Sequence, residues 1–257
     1  MGMEGEAGKH PGGRRPRLRS PGHEHEPGHE HRDLTGGGAR AGIFGVSDGL
    51  VTNLSLIVGV AAASPGAGIV RLTGLAGLVA GAFSMASGEY LSMQAQRELM
   101  ERELDVERQA LRRSPQMERD ELVAIYERRG IDASVARDLV DEVMQDPQLA
   151  LETHAREELG IDPSAFGSPW QAAIASFIAF ALGAFVPLAP WLFTSGSTAT
   201  ALSVVLGAAA ALAIGFLLGV FTGRSRIRSA LRQLLVLALA TAVTYGIGRA
   251  IGAGLHD

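Results

Sequence analysis

Apolar positions in this chain come in long unbroken blocks, not in the alternation of a half-buried strand or the one-sided stripe of a surface helix. Five blocks, at about 41 to 63, 69 to 94, 169 to 192, 198 to 222 and 229 to 253, are each long enough to cross a bilayer core of about 30 Å, which takes roughly 20 helical residues. The 61 residues from Pro163 to Gly223 contain no Asp, Glu, Lys or Arg. That is too long for one buried helix and right for two crossings. Turn-forming residues punctuate the blocks: Ser64-Pro65-Gly66 after the first, Thr194 to Ser197 after the third. An arginine-rich link, Arg224 to Arg232, separates the fourth from the fifth.

A charged segment, 97 to 162, interrupts the series and reads as helices. Nothing after Gly88 breaks the second block until Ser114-Pro115, so that helix is predicted to run on past the bilayer. A second helix follows with Ser114 as N-cap, Pro115 at its first position and Gly130 as its stop. Asp132 caps a third, and a short fourth spans Pro147 to Leu159. The predicted fold is an all-α integral membrane protein, five transmembrane helices plus a cytoplasmic helical metal-binding domain inserted between helices 2 and 3. Its parts are a His/Arg/Gly-rich disordered tail (1–40), crossings one and two (41–96), the insert (97–162) and crossings three to five (163–257).

Charge sets the orientation. Arg14, Arg15, Arg17, Arg19, Arg32 and Arg40 precede the first crossing, and Arg224, Arg226, Arg228 and Arg232 join the last two, so both regions belong in the cytoplasm. The insert is then cytoplasmic and the C-terminus outside. No secretory leader is expected, because the first 40 residues lack an apolar core. The insert holds 10 arginines against 18 acids, net −8, which argues against nucleic acid and for a cation. With no cysteine, disulfides, thiolate metal sites and thiol catalysis are excluded. The crossings hold no histidine and the chain has no nucleotide loop of the Walker type, so neither an enzyme nor a resident cofactor is expected.

Two sets of residues carry candidate chemistry. In the membrane, Asp48 lies two turns into the first crossing, within "GIFGVSDGLVTNL", and an intramembrane carboxylate is functional by default because it costs about 2.5 kcal/mol or more. Met85 and Glu89, one turn apart in "SMASGEY", are predicted at a similar depth on the second crossing. A thioether beside carboxylates suits a divalent transition metal. Gly77, Gly81 and Gly88 allow close helix approach. In the insert, Glu103 and Glu107 lie one turn apart, as do Glu118 and Glu121, and antiparallel packing would gather their oxygens. Glu142 and Met144 on the next helix offer an oxygen and a sulfur. Any single glutamate is more often a solvated charge; clustering is what raises these. His23, His25, His29 and His31 in "HEHEPGHEHR" are read as weak, nonspecific metal collectors.

Three stretches, "GIFGVSDGLVTNLSLIVGVA", "GAFSMASGEYLSMQAQRE" and "EELGIDPSAFGSPWQAAIASFIAFALGAFVPL", together resemble the vacuolar iron transporter family, in order and separation, over about residues 40 to 253. The resemblance implies a homodimeric exporter of ferrous iron from the cytosol, driven by proton antiport. It implies that Asp48 and Met85 belong to the translocation path and that glutamates of the insert bind metal. Glu107, Glu118 and Glu121 match best, Glu103 and Glu142 less well. Where a further family glutamate would follow Glu107 by three, this chain has Ala110; Asp146 and Glu152 both stand as partners for Met144. Manganese is the nearest alternative cargo, and a membrane-anchored metal sensor without transport is the alternative of another class. Richness in Ala, Arg and Gly favours a bacterial cell membrane.

Overall fold

The computed structural model describes residues 37–63, 66–163 and 166–254, and among these every regular element is a helix. They are α1 (Gly37–Ala62), α2 (Ala67–Arg113), α3 (Pro115–Arg128), α4 (Ala133–Val143), α5 (Pro147–Glu157), α6 (Pro169–Phe193), α7 (Gly196–Phe221) and α8 (Arg226–Gly254). Five of them, α1, α2, α6, α7 and α8, are long and apolar enough to cross a membrane. Their positions coincide with the five predicted blocks. The tail histidines lie outside the described residues.

The five long helices form one bundle with α1 at its centre, contacted by α2, α6, α7 and α8. Leu50, Leu54, Ile57 and Val58 of α1 are buried there. Because lipid is as apolar as the helices themselves, their association rests on close packing more than on burial from water. The sequence supplies that closeness with glycine. A Cβ on Gly49 would strike the Phe180 carbonyl of α6, and one on Gly183 would strike the Val46 carbonyl of α1. In α2, Gly77 meets Asn53 and Leu56 of α1, and Gly81 meets the Phe180 ring, but Gly88 faces open space.

Helix α6 carries Pro187 and Pro190 in its interior. Each proline removes a backbone donor, and neighbouring side chains bond to carbonyls of that same stretch. Asn53 donates through Nδ2 to the Ala184 carbonyl at 2.7 Å, and Ser203 donates through Oγ to the Pro187 carbonyl at 2.6 Å. At the end of α6 the Arg71 guanidinium donates to the Trp191 and Thr194 carbonyls at 2.6 and 3.3 Å, where cationic charge complements the helix dipole.

Helix α2 has 47 residues, about 70 Å at 1.5 Å per residue. That is more than twice the bilayer core. Its charged final third, from Arg97, is the platform for α3, α4 and α5. Leu104 and Leu111 pack with Leu151 and Ala155 of α5. A second core joins Leu122, Val123, Ala136, Val140, Val143 and Ala150. The turns between these helices are locally encoded. Gly130 has φ of 92°, the left-handed region that ends α3. Asp132 accepts from the Ser134 N–H at the start of α4, and Asp146 from the Gln148 and Leu149 N–H groups at the start of α5. Ser114 occupies the predicted cap position of α3, with Pro115 following, but its side chain makes no capping bond.

Candidate metal centre

Three helices of the insert bring acidic side chains to one place. The final third of α2 supplies Glu107, α3 supplies Glu118 and Glu121 one turn apart, and α5 together with its C-cap supplies His154 and Glu158. Ligand atoms of Glu107, Glu118 and His154 all lie within 4.8 Å of one another, as do those of Glu118, Glu121 and Glu158. Glu118 is common to both groups. The first group is buried, with Glu107 and Glu118 each 6% exposed and His154 fully enclosed. The apolar contacts of Leu104 and Leu111 with α5 hold the three helices close enough for this.

Burying carboxylates together is costly, since each loses water and repels the next. Arginines of the insert do not relieve the cost. Arg119 pairs with Asp120 and Asp141, Arg129 with Glu157, Arg156 with Glu152 and Asp162, Arg97 with Glu101, and Arg108 with Asp105. No ion pair among the described residues takes Glu107, Glu118, Glu121 or Glu158. Oε1 of Glu107 is buried with no hydrogen-bond partner. Burial first, then the Glu158 carboxylate, pushes the Glu107 pKa from 4.5 up to about 7; Glu118 and Glu121 add to the rise and His154 opposes it. Glu158 is likewise raised, by burial first and then by Glu121 and Glu118, again against His154. A divalent cation would remove the repulsion and partner the orphaned oxygen at once.

Of the insert residues singled out by spacing, the structure gathers Glu107, Glu118 and Glu121. Glu103, one turn back on α2, is half-buried and outside both groups. Glu142 is exposed and accepts from the Gln145 amide at 3.1 Å. Met144 packs against the Leu122–Val140 core and borders a cavity with Arg108 and Arg112. Sequence reasoning passed over His154 and Glu158. Their signal was present as an i,i+4 pair in "HAREE", on the same short helix whose acids were weighed only as partners of Met144.

In the bundle, Asp48 is exposed on the outside of α1 and accepts from Thr52 Oγ1 at 3.3 Å. Met85 is half-buried against Ala82, Phe180 and Ala184, and Glu89 is half-buried one turn further along α2. No hydrogen bond among the described residues joins Asp48 to Met85 or Glu89. Asn53, deeper on α1, is fully enclosed and leaves Oδ1 without a partner.

The chain is similar to known proteins over most of its length. The model of the VIT family matches residues 39–249. A protein of Eucalyptus grandis named vacuolar iron transporter 1 is 34% identical over 210 residues, 81% of this chain and 84% of its own length. One of the same name from Oryza sativa subsp. japonica is 32% identical over 230 residues, 89% and 90% of the two chains. The vacuolar iron transporter of Acanthamoeba castellanii is 34% identical over 229 residues, 86% of this chain and 82% of that one.

Proposed function

The chain belongs to the VIT family, and on that footing we propose that it carries ferrous iron out of the cytosol in exchange for protons. The observation that carries the proposal is the convergence of four glutamates from three helices without an arginine among them, one with a buried, unpartnered oxygen. The names of its relatives make iron the first choice of cargo. Glu107, Glu118, Glu121 and Glu158 capture the ion beside the membrane. Asp48 and Met85 hold it in the membrane path. Protons entering from the far side compete for the same carboxylates and release it.

The insert lies on the cytosolic side in this reading, supported by the arginines flanking α1 and joining α7 to α8. The exposure of Asp48 supports a homodimer. A carboxylate facing lipid at that depth costs about 2.5 kcal/mol or more, and a second copy laid against α1 would cover it and complete the path. Composition supports a bacterial cell membrane as the site, although the relatives are named for vacuoles.

Manganese is the second reading, favoured by the oxygen-rich cluster, because carboxylates suit that ion as well. Ferrous-iron uptake into proteoliposomes with an imposed pH gradient and an internal pH dye tests both. Iron flux coupled to opposite proton movement, and lost in Asp48→Ala, is the expected result. Flux with manganese alone would move the cargo assignment. No flux with either ion would sink the transporter reading and favour a membrane-anchored sensor.

A further inference from the structure

His154 stands in an odd position for a core histidine. It is fully buried, its Nδ1 lies 2.9 Å from the Ala150 carbonyl one turn back on α5, and its Nε2 lies 3.1 Å from the Glu118 carbonyl of α3. As a metal ligand the imidazole must be neutral, and it then has one N–H to share between two carbonyls that can only accept. Placed on Nδ1, that hydrogen bonds within the helix and fixes the ring, which is how histidines that ligate metals are generally oriented. The Nε2 lone pair then meets a carbonyl oxygen, two acceptors face to face. The carboxylate oxygens of Glu107 and Glu118 lie within 4.8 Å of the ring's ligand atom, and Glu107 Oε1 has no partner of its own. Two ligands on one ion at about 2.1 Å each stand at most about 4.2 Å apart, so a small closure of this group makes a coordination sphere.

We propose that His154 ligates the captured ion through Nε2 and sets its specificity. Resting on the capture site proposed above, this inference adds a selection rule. An all-carboxylate cluster would take manganese, magnesium or calcium about as readily as iron. One imidazole among the oxygens favours ferrous iron, cobalt and zinc over those harder ions. The Ala150 carbonyl orients the ring, and α5 carries it against α2 and α3 through Leu151 and Ala155.

The test uses the full-length protein in detergent, with Co2+ as an air-stable stand-in for ferrous iron and Mn2+ as the competitor. Wild type should bind Co2+ more tightly than Mn2+. H154Q should weaken Co2+ binding about tenfold or more while moving Mn2+ binding far less, so that the preference collapses. An unchanged ratio of the two affinities would overturn the proposal, as would an equal fall in both, which is what a purely structural cross-link between α3 and α5 predicts. X-ray absorption on Co2+-loaded protein whose tail histidines His23, His25, His29 and His31 are replaced by Ala leaves the insert untouched: outer-shell scattering from imidazole is expected, and an oxygen-only shell would refute the assignment. Failure of the capture site itself looks different, because wild type would then bind neither ion, or binding would survive the double substitution of Glu118 and Glu121 by Gln.

Discussion

Two buried polar side chains in the membrane bundle are tied to backbone, Asn53 through Nδ2 to the Ala184 carbonyl and Ser203 to the Pro187 carbonyl. In the insert, Glu107, Glu118 and His154 are gathered about one another, although the His154 ring also meets two backbone carbonyls. Asn53 and Ser203 thus hold a proline-interrupted helix, and the one carboxylate on α1, Asp48, is exposed. The insert encloses its carboxylates within a single chain. On the function proposed above, the contrast means that capture chemistry is complete in one copy, whereas the membrane path has an open side. Substitutions that separate the two regions test this most severely. Asp48→Asn should remove most of the iron flux while leaving Co2+ binding by the insert unchanged. The reverse pair, Glu118→Gln with Glu121→Gln, should weaken binding and leave the bundle's thermal unfolding where it was. Loss of both properties in either variant would show that the regions are not separable.

Packing sharpens the comparison next. Leu at position 183 would drive a side chain into the Val46 carbonyl of α1, and overpacking against backbone cannot relax by a rotamer change. Gly183→Leu should cost about 3 kcal/mol, seen as a lowered unfolding temperature in detergent. Gly88→Ala is the control, since nothing lies within 4 Å of a Cβ there. It should be neutral or stabilise by about 0.5 kcal/mol through helix propensity. Equal destabilisation by both would mean that α1 and α6 do not meet backbone to backbone.

The insert should respond to pH where the bundle's packing does not. Glu107 has its pKa raised to about 7 in the fold, from 4.5. A carboxyl with a raised folded pKa binds its proton more tightly folded than unfolded, so the contribution of Glu107 to the stability of the metal-free insert is greatest at low pH. That extra stability fades as pH rises from about 4.5 through 7. Metal capture runs the opposite way, because the ion must displace the proton: Co2+ affinity should rise about tenfold per pH unit below 7 and level off above it. Glu107→Gln should flatten both slopes. A binding profile that stays level between pH 5.5 and 7 in wild type would show that Glu107 is not a ligand.

How much of this was legible follows from the range over which each signal acts. The five crossings are written in contiguous hydropathy, and the ends of α4 and α5 in single capping residues, Asp132 and Asp146, so both could be read locally. Glu118 and Glu121 share a turn and were readable for the same reason. Bringing Glu107 to them requires knowing that α2 runs on to Arg113 and that α3 doubles back, which Ser114-Pro115 signals. His154 requires a third helix to be docked, and no periodicity within α5 says which face meets α2. Met144, expected as a soft ligand, packs partly buried against the apolar core of Leu122 and Val140 and borders a cavity, a placement that its position three residues before a proline does not announce. Likewise, Gly77, Gly81 and Gly88 read together as a row for close helix approach, yet of these three Gly88 meets nothing.

The smallest effect expected probes how firmly α5 presents its ligands. Asp146 accepts hydrogen bonds from the Gln148 and Leu149 N–H groups at 2.8 and 3.3 Å, satisfying donors that helix geometry otherwise leaves open. Asp146→Ala removes that cap and should cost about 1 kcal/mol of insert stability. His154 and Glu158 lie two to three turns further on, where α5 is held by Leu151 and Ala155 against α2, so fraying of the first turn should reach them only weakly. Co2+ affinity should fall by less than about threefold, within what a 1 kcal/mol change permits. Asn at the same position should restore most of the stability, since its amide oxygen can cap as well. If Asp146→Ala weakened binding as much as H154Q does, α5 would be docked chiefly by its N-terminus, and the contacts of Leu151 and Ala155 with Leu104 would not be what holds the imidazole against the carboxylates.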